Sequence, residues 1–157
     1  MDRLIEWLPP TVPKQERVSV VHGDYRLDNM IFHANEPRVV AVLDWELSPL
    51  GDPMADFTYL LMQWVMPGLE GADLKQLNIP RIEEAEEIYC RASGQSSIPD
   101  INWYFSYNLF RLAGITQGIA ARIREGTAAS DKAAESAALS VPLARAAWSF
   151  AQKAGAT

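Results

Sequence analysis

The chain has 157 residues, 48% hydrophobic and 22% charged, and its formal net charge is −6; this predicts one α+β domain, residues 1–157, large enough for its own core. The acidic balance argues against a nucleic-acid polymer as partner, which needs a basic face, but leaves room for a phosphorylated small molecule neutralised by a metal or a few local cations. A lone cysteine, Cys90, no signal peptide and no apolar run near the ~18 residues of a membrane span point to a cytoplasmic protein without a membrane partner.

"DRLIEWLPPTVP" predicts a short apolar-periodic turn through Leu4, Ile5 and Leu8, stopped by Pro9 and Pro10. "RVSVV", residues 17–21, is rich in β-branched residues and reads as a strand. "VVHGDYRLDNMIF" then sets four polar groups, His22, Asp24, Asp28 and Asn29, between two apolar runs. By itself that stretch is either a solvated turn or the working loop of an enzyme. "MIFH" predicts a second short strand and "ANEP" a turn. "RVVAVLDW", from Arg38, predicts a third strand, apolar on both faces and therefore expected to be buried.

From Gly51 the period changes. "GDPMADFTYLLMQW" offers Asp52 as N-cap and Pro53 as first helical residue, with Met54, Phe57, Leu60, Leu61 and Trp64 at helical spacing. "VMPGLEGADLKQLNIP" is a linker with room for one helical turn. "RIEEAEEIYCRASG" predicts a helix closed by Gly94, with Glu83, Glu84, Glu86 and Glu87 on a solvated face and Cys90 buried. A long helix is expected from about Asp100 to Arg124, ended by Gly126, its rings Trp103, Tyr104, Phe105, Tyr107 and Phe110 mostly in the core. An Ala-rich helix, interrupted near Pro142, closes the chain. The layout is a small β element followed by at least four helices.

Within it, His22, Asp24, Arg26, Asn29 and Asp44 form a pattern. A hairpin returns its far end to the level of its start, so Asp44 can come back beside Asn29 and Asp24. That gathers two or three hard oxygen ligands, which suits Mg²⁺ shared with substrate phosphates better than a caged structural ion.

The spacing matches the protein-kinase catalytic loop, H-x-D-x-x-x-x-N, followed by a metal-binding Asp after a short hairpin. "HGDYRLDN", "LDWE" and "SPLGDPMADF" resemble the aminoglycoside phosphotransferase and choline kinase branch. "VLDWELSPLGDPMADFTYLLMQW", "PGLEG" and "NLFRLAGITQGIAARI" further resemble the kinase-like domain associated with acyl-CoA dehydrogenases. The resemblance implies the mostly helical C-terminal lobe of a protein-kinase-like fold, with the catalytic loop carried on a small hairpin. It implies Mg²⁺ and ATP as cofactors, Asp24 as the base and Asn29 and Asp44 as metal ligands. Arg26 stands where a cation meets the transferred phosphoryl group, or is a solvated surface residue. His22 orders the loop; Asp56 braces it through backbone amides, and Asp52 is both cap and part of that support. Glu46 reaches the metal or lies on the surface. Trp103, Tyr107 and Arg111 face the acceptor or belong to the scaffold, a salt bridge being the plainer reading of Arg111.

No glycine-rich G-x-G-x-x-G loop is present, and none of the four lysines, Lys14, Lys75, Lys132 and Lys153, lies in a strand ahead of the loop. The expectation is therefore a C-terminal lobe without its N-terminal nucleotide lobe, inactive by itself. It would act with a nucleotide and a small hydroxyl-bearing substrate once paired with that lobe, or form a homodimer. The rivals are a non-catalytic kinase-like remnant serving as a protein-binding or oligomerisation module, and a metallophosphoesterase. Two histidines in the whole chain weigh against the latter, whose two-metal sites recruit several.

Overall fold

Local chemistry sets most of the element boundaries. A computed structural model describes residues 1–15, 17–67, 74–128, 130 and 132–157. α1 (Asp2–Trp7) ends one residue before the Pro9–Thr11 turn, because proline offers no amide to continue a helix. α2 (Met54–Leu60) tightens into a 3₁₀ turn, Leu61–Trp64. α3 (Ile82–Ser93) stops at Gly94, whose φ of 70° is the left-handed cap that glycine adopts freely. A Cβ there would meet nothing within 4 Å, so Gly94→Ala is expected to lower stability by about 1 kcal/mol through backbone strain alone. An unchanged urea midpoint would contradict that.

α4 (Ile101–Arg124) begins where the Asp100 side chain accepts the Asn102 N–H at 3.0 Å. The Ala-rich segment divides into α5 (Ala133–Ala138) and α6 (Ser140–Lys153). The break falls at Leu139 and not at Pro142, because proline sits in the first turn of α6, where its missing amide needs no partner. The linker holds a 3₁₀ turn at Leu74–Leu77; residues 68–73, with most of "PGLEG", lie outside the described residues.

The strands are short. β1 (Ser19–Val20) pairs antiparallel with β4 (Leu50–Gly51), a partner that β-propensity does not announce in "SPLGD". β2 (Met30–Phe32) pairs antiparallel with β3 (Val39–Val42), with an irregularity between Ile31 and Phe32. The expectation of a buried third strand is corrected: Val39, Val40 and Leu43 are 42%, 46% and 47% exposed. A strand apolar on both faces is able to be buried, but the described elements leave this two-stranded hairpin uncovered. Cys90 is likewise half-buried and not interior, since α3 has no fully buried residue.

The core lies among the helices. Leu109 and Ala113 of α4 pack with Leu143, Ala147 and Ala151 of α6, in a cluster that also holds Leu4, Leu8, Met54, Met62, Trp103, Tyr104 and Ala156. Trp103, Tyr104 and Phe105 are buried as expected, while Tyr107 and Phe110 are partly so. α4 therefore runs from the packed interior to the back of the 21–29 loop. Among the described residues no helix is long and apolar enough to cross a membrane.

Candidate active site

The loop between β1 and β2 is held by its own backbone. Asp56, in the first turn of α2, accepts the His22 N–H at 2.5 Å on Oδ2 and the Gly23 N–H at 2.9 Å on Oδ1. Gly23 has φ +86°, and a Cβ would lie 2.9 Å from the Leu47 carbonyl oxygen, so the chains cross too closely for any side chain. His22 is 1% exposed. Its Nδ1 accepts the Asp24 N–H at 3.2 Å, which leaves Nε2 as the protonated nitrogen, donating to the Leu43 carbonyl at 2.7 Å. The Leu43 N–H in turn donates to the Asn29 carbonyl at 2.8 Å. The residue before Asp44 is thus bonded to both ends of the loop.

Asn29 is buried, and its Nδ2 donates to the Asp24 carbonyl at 2.9 Å and to Asp24 Oδ2 at 3.0 Å. Both amide hydrogens are used, so Oδ1 is the atom left for a cation. Arg26 Nε lies 3.3 Å from Asp24 Oδ2, and its Nη1 lies 3.3 Å from Asp28. At half exposure these pairs orient more than they stabilise. Asp44 has φ 66° and ψ 53°, a left-handed backbone that is uncommon outside glycine. It turns the chain into the Trp45–Leu47 3₁₀ turn and is itself exposed, as is Glu46. Trp45 donates Nε1–H to the Val42 carbonyl at 2.8 Å, and its ring centre is 4.8 Å from that of His22.

The described residues hold no cluster of three His, Cys, Asp or Glu side chains able to cage a metal. One carboxamide oxygen and one exposed carboxylate, joined through Leu43, fit a different kind of ion. Mg²⁺ keeps much of its shell from water and phosphate oxygens.

Behind Gly23 lies a cleft of about 540 Å³, with Asp52, Trp103, Tyr104, Tyr107 and Arg111 in its wall. The rings of Trp103 and Tyr107 stack at 5.7 Å with 7° between planes. Asp52 receives the Met54 N–H at 2.9 Å and the Tyr104 O–H at 2.6 Å. Its link to the loop therefore runs through α2. Burial first, and then the bond to Asp52, pushes the Tyr104 phenol well above the usual range. A second cleft, about 520 Å³ and apolar, also touches Asp56 and lies among Trp45, Phe57, Leu60, Trp64 and Tyr89.

The expected salt bridge of Arg111 does not form among the described residues. Its guanidinium donates instead to the Gly23 carbonyl and sits 5.0 Å over the Tyr59 ring. The nearby carboxylates Asp52 and Asp56 already serve as acceptors for other groups. Tyr59 itself was not singled out by sequence reasoning. Its phenol is raised above the ordinary range by burial first and then by Asp24. The available signal was its spacing: Tyr59 follows Asp56 by three residues and so shares its face of α2. Glu46 and Trp103 make no contact with Asp24, Asn29 or Arg26 in the described hydrogen bonds and ion pairs.

Comparison with known proteins agrees with this geometry. The model of the phosphotransferase enzyme family matches residues 1–88, which include the loop, Asp44, Asp52 and Asp56. Mouse acyl-CoA dehydrogenase family member 10 is 44% identical over 162 residues, covering 99% of this chain and 15% of that protein. Human acyl-CoA dehydrogenase family member 11 is 38% identical over 151 residues, covering 92% of this chain and 19% of that protein. A solved structure from Ralstonia eutropha, assigned as an aminoglycoside phosphotransferase, matches at a TM-score of 0.89 and 43% identity, covering 97% of this chain and 48% of that one. The chain therefore spans less than half of that structure and under a fifth of these two curated relatives. With this match over more than half its length, and with a loop, hairpin and helical bundle arranged as in a kinase-like fold, the chain belongs to the phosphotransferase enzyme family.

Proposed function

We propose that the chain is the catalytic-loop part of a Mg-ATP-dependent phosphotransferase acting on the hydroxyl of a small molecule, a hydroxy acid or an acyl-CoA-linked alcohol. The observation that carries this reading is the pairing of Asp24 with Asn29, in which both Asn29 amide hydrogens hold Asp24 and the Oδ1 is left over. Mg-ATP, when bound, supplies the phosphoryl group and the positive charge that neutralises it. Asn29 Oδ1 and the Asp44 carboxylate would hold the cation. The Asp24 carboxylate takes the proton of the acceptor hydroxyl as the new O–P bond forms and the bond to the ADP oxygen breaks. Arg26, beside Asp24, adds positive charge where the transferred group passes. Trp103, Tyr107 and Arg111, in the wall of the cleft behind Gly23, are the residues nearest to hand for shaping an acceptor site. The half-buried lone Cys90 suits the reducing cytoplasm.

The metal site is tested by titrating Mn²⁺ into the chain and following paramagnetic line broadening. Amide signals of residues 24–29 and 43–45 are expected to broaden in the wild type and to stay sharp in Asp44→Ala. Equal broadening in both would remove the site.

A second reading is favoured by the uncovered side chains Ile31, Phe32, Val39, Val40 and Leu43 on the hairpin. In it the same face binds another copy of the chain or a separate nucleotide-binding lobe, and the chain serves as a non-catalytic association module. Sedimentation equilibrium separates the two: a mass that stays monomeric at high concentration discounts self-association.

A further inference from the structure

We infer that Asn108 is a positioning residue for the catalytic loop: from the buried face of α4 it holds the α2 backbone beside Asp56, and so sets where the Asp56 carboxylate meets the His22 and Gly23 amides. The inference rests on the phosphotransferase reading above and extends it to a residue on another helix, far from the catalytic motif.

Hydrogen bonds make each link. Asn108 is fully buried, and its Nδ2 donates to the Ala55 carbonyl at 3.1 Å and to Thr58 Oγ1 at 2.9 Å. A carbonyl only accepts, so the amide nitrogen is the atom that faces Ala55. Ala55 and Thr58 stand on either side of Asp56 in α2, and the Ala55 carbonyl belongs to the peptide that carries the Asp56 N–H. Asp56 in turn accepts the His22 N–H at 2.5 Å and the Gly23 N–H at 2.9 Å. Gly23 precedes Asp24 and has little room, since a Cβ there would lie 2.9 Å from the Leu47 carbonyl oxygen. Arg111, three residues along α4 from Asn108, donates to the Gly23 carbonyl. One turn of α4 thus reaches both polar groups of the Gly23 backbone, the carbonyl directly and the amide through α2 and Asp56.

Folding alone does not call for a carboxamide here. The Thr58 hydroxyl already donates to the Met54 carbonyl at 2.7 Å, so its proton does not need Asn108. The Ala55 carbonyl lies within α2, where the helix offers it the amide four residues on. Asn108 Oδ1 is buried with no hydrogen-bond partner among the described residues, which costs stability that an apolar side chain of the same shape would keep. What the carboxamide supplies is a fixed distance and direction between α4 and the turn of α2 that carries Asp56. Phosphoryl transfer depends chiefly on placement of this kind.

The test is amide hydrogen exchange on this chain in Asn108→Leu, which keeps the branched shape without the polar atoms. Asn108→Thr, smaller and with a hydroxyl that bonds within its own helix, replaces it if the Leu variant does not fold. Exchange at His22 and Gly23 is expected to quicken about tenfold, while the core amides of Leu109 and Ala147 keep their protection. A merely structural role would move all four together. In an Asp56→Ala background the Asn108 substitution should add nothing at the two loop amides, because its path to them is already cut. In the chain joined to a nucleotide-binding lobe, the variant should lower kcat about tenfold, short of the ~10²-fold loss from a 1 Å displacement, and leave KM for ATP unchanged. Loop amides that move only with the core, a full additional effect in the Asp56→Ala background, or an unchanged kcat overturns the inference. A joined wild-type protein that transfers no phosphate sinks the phosphotransferase reading instead, and the exchange result still decides whether Asn108 holds the loop.

Discussion

Asp24→Asn is expected to lower phosphoryl transfer by about 10²–10⁴-fold, the usual contribution of a positioned acid–base group, with nucleotide affinity nearly unchanged. The substitution keeps the shape of the side chain and one oxygen able to accept from Asn29 Nδ2, which now lies 3.0 Å from Asp24 Oδ2. The loop should therefore fold as before, since its backbone is held by Asp56 and His22 and not by Asp24. What is lost is the charge that accepts the hydroxyl proton. The measurement is steady-state transfer from ATP by the chain joined to the nucleotide-binding lobe of a relative, with binding of ATP followed separately. A variant whose kcat stays within a few-fold of wild type removes Asp24 from the role of base.

Asp56→Ala should be the most damaging substitution for the loop itself. It leaves the His22 and Gly23 amides without the acceptors now 2.5 and 2.9 Å away. An unpaired donor costs roughly 1–3 kcal/mol when buried, and these two are part-buried, so a total loss of about 2–4 kcal/mol is expected. Gly23 has little freedom to find another partner, because it passes tightly under the Leu47 carbonyl. Asp56→Asn keeps one acceptor oxygen and should fall between Ala and wild type. Transfer should fall with the loop, since a shift of about 1 Å at a reacting group can cost ~10²-fold. Urea unfolding and hydrogen exchange at the two amides read the effect directly. An unchanged midpoint with unchanged exchange would show that the brace carries no weight.

Asp56 also shows how far a sequence reaches. The family resemblance carried by "GDPMADF" implies that it braces the loop, and its carboxylate lies on the loop amides. Tyr59, three residues on, carries a comparable clue in its spacing but no motif, and an aromatic residue in an apolar helix gives no sign that a guanidinium from another helix lies over its ring. Arg111 was visible as a residue of interest, yet its partners lie 88 and 52 positions away in the chain. Nothing within its own helix separates a salt bridge from a carbonyl contact.

By itself the sequence determined what depends on one or two residues. The Asp100 cap, the left-handed Gly94 and Gly126 and the proline-ended first helix follow from local backbone chemistry. The spacing of His22, Asp24, Asn29 and Asp44 belongs to the same class, because a loop and a hairpin close over short distances whatever packs around them. Only the tertiary structure decided the rest. Periodicity states that β3 is able to be buried, but burial needs a covering layer, and the described elements supply none. β4 is too short to show a strand pattern and exists because β1 lies beside it. The contacts of Arg111 with the Tyr59 ring and with the Gly23 carbonyl arise where α2 and α4 cross behind the loop, a juxtaposition set by packing across the core and not by any local preference of those residues.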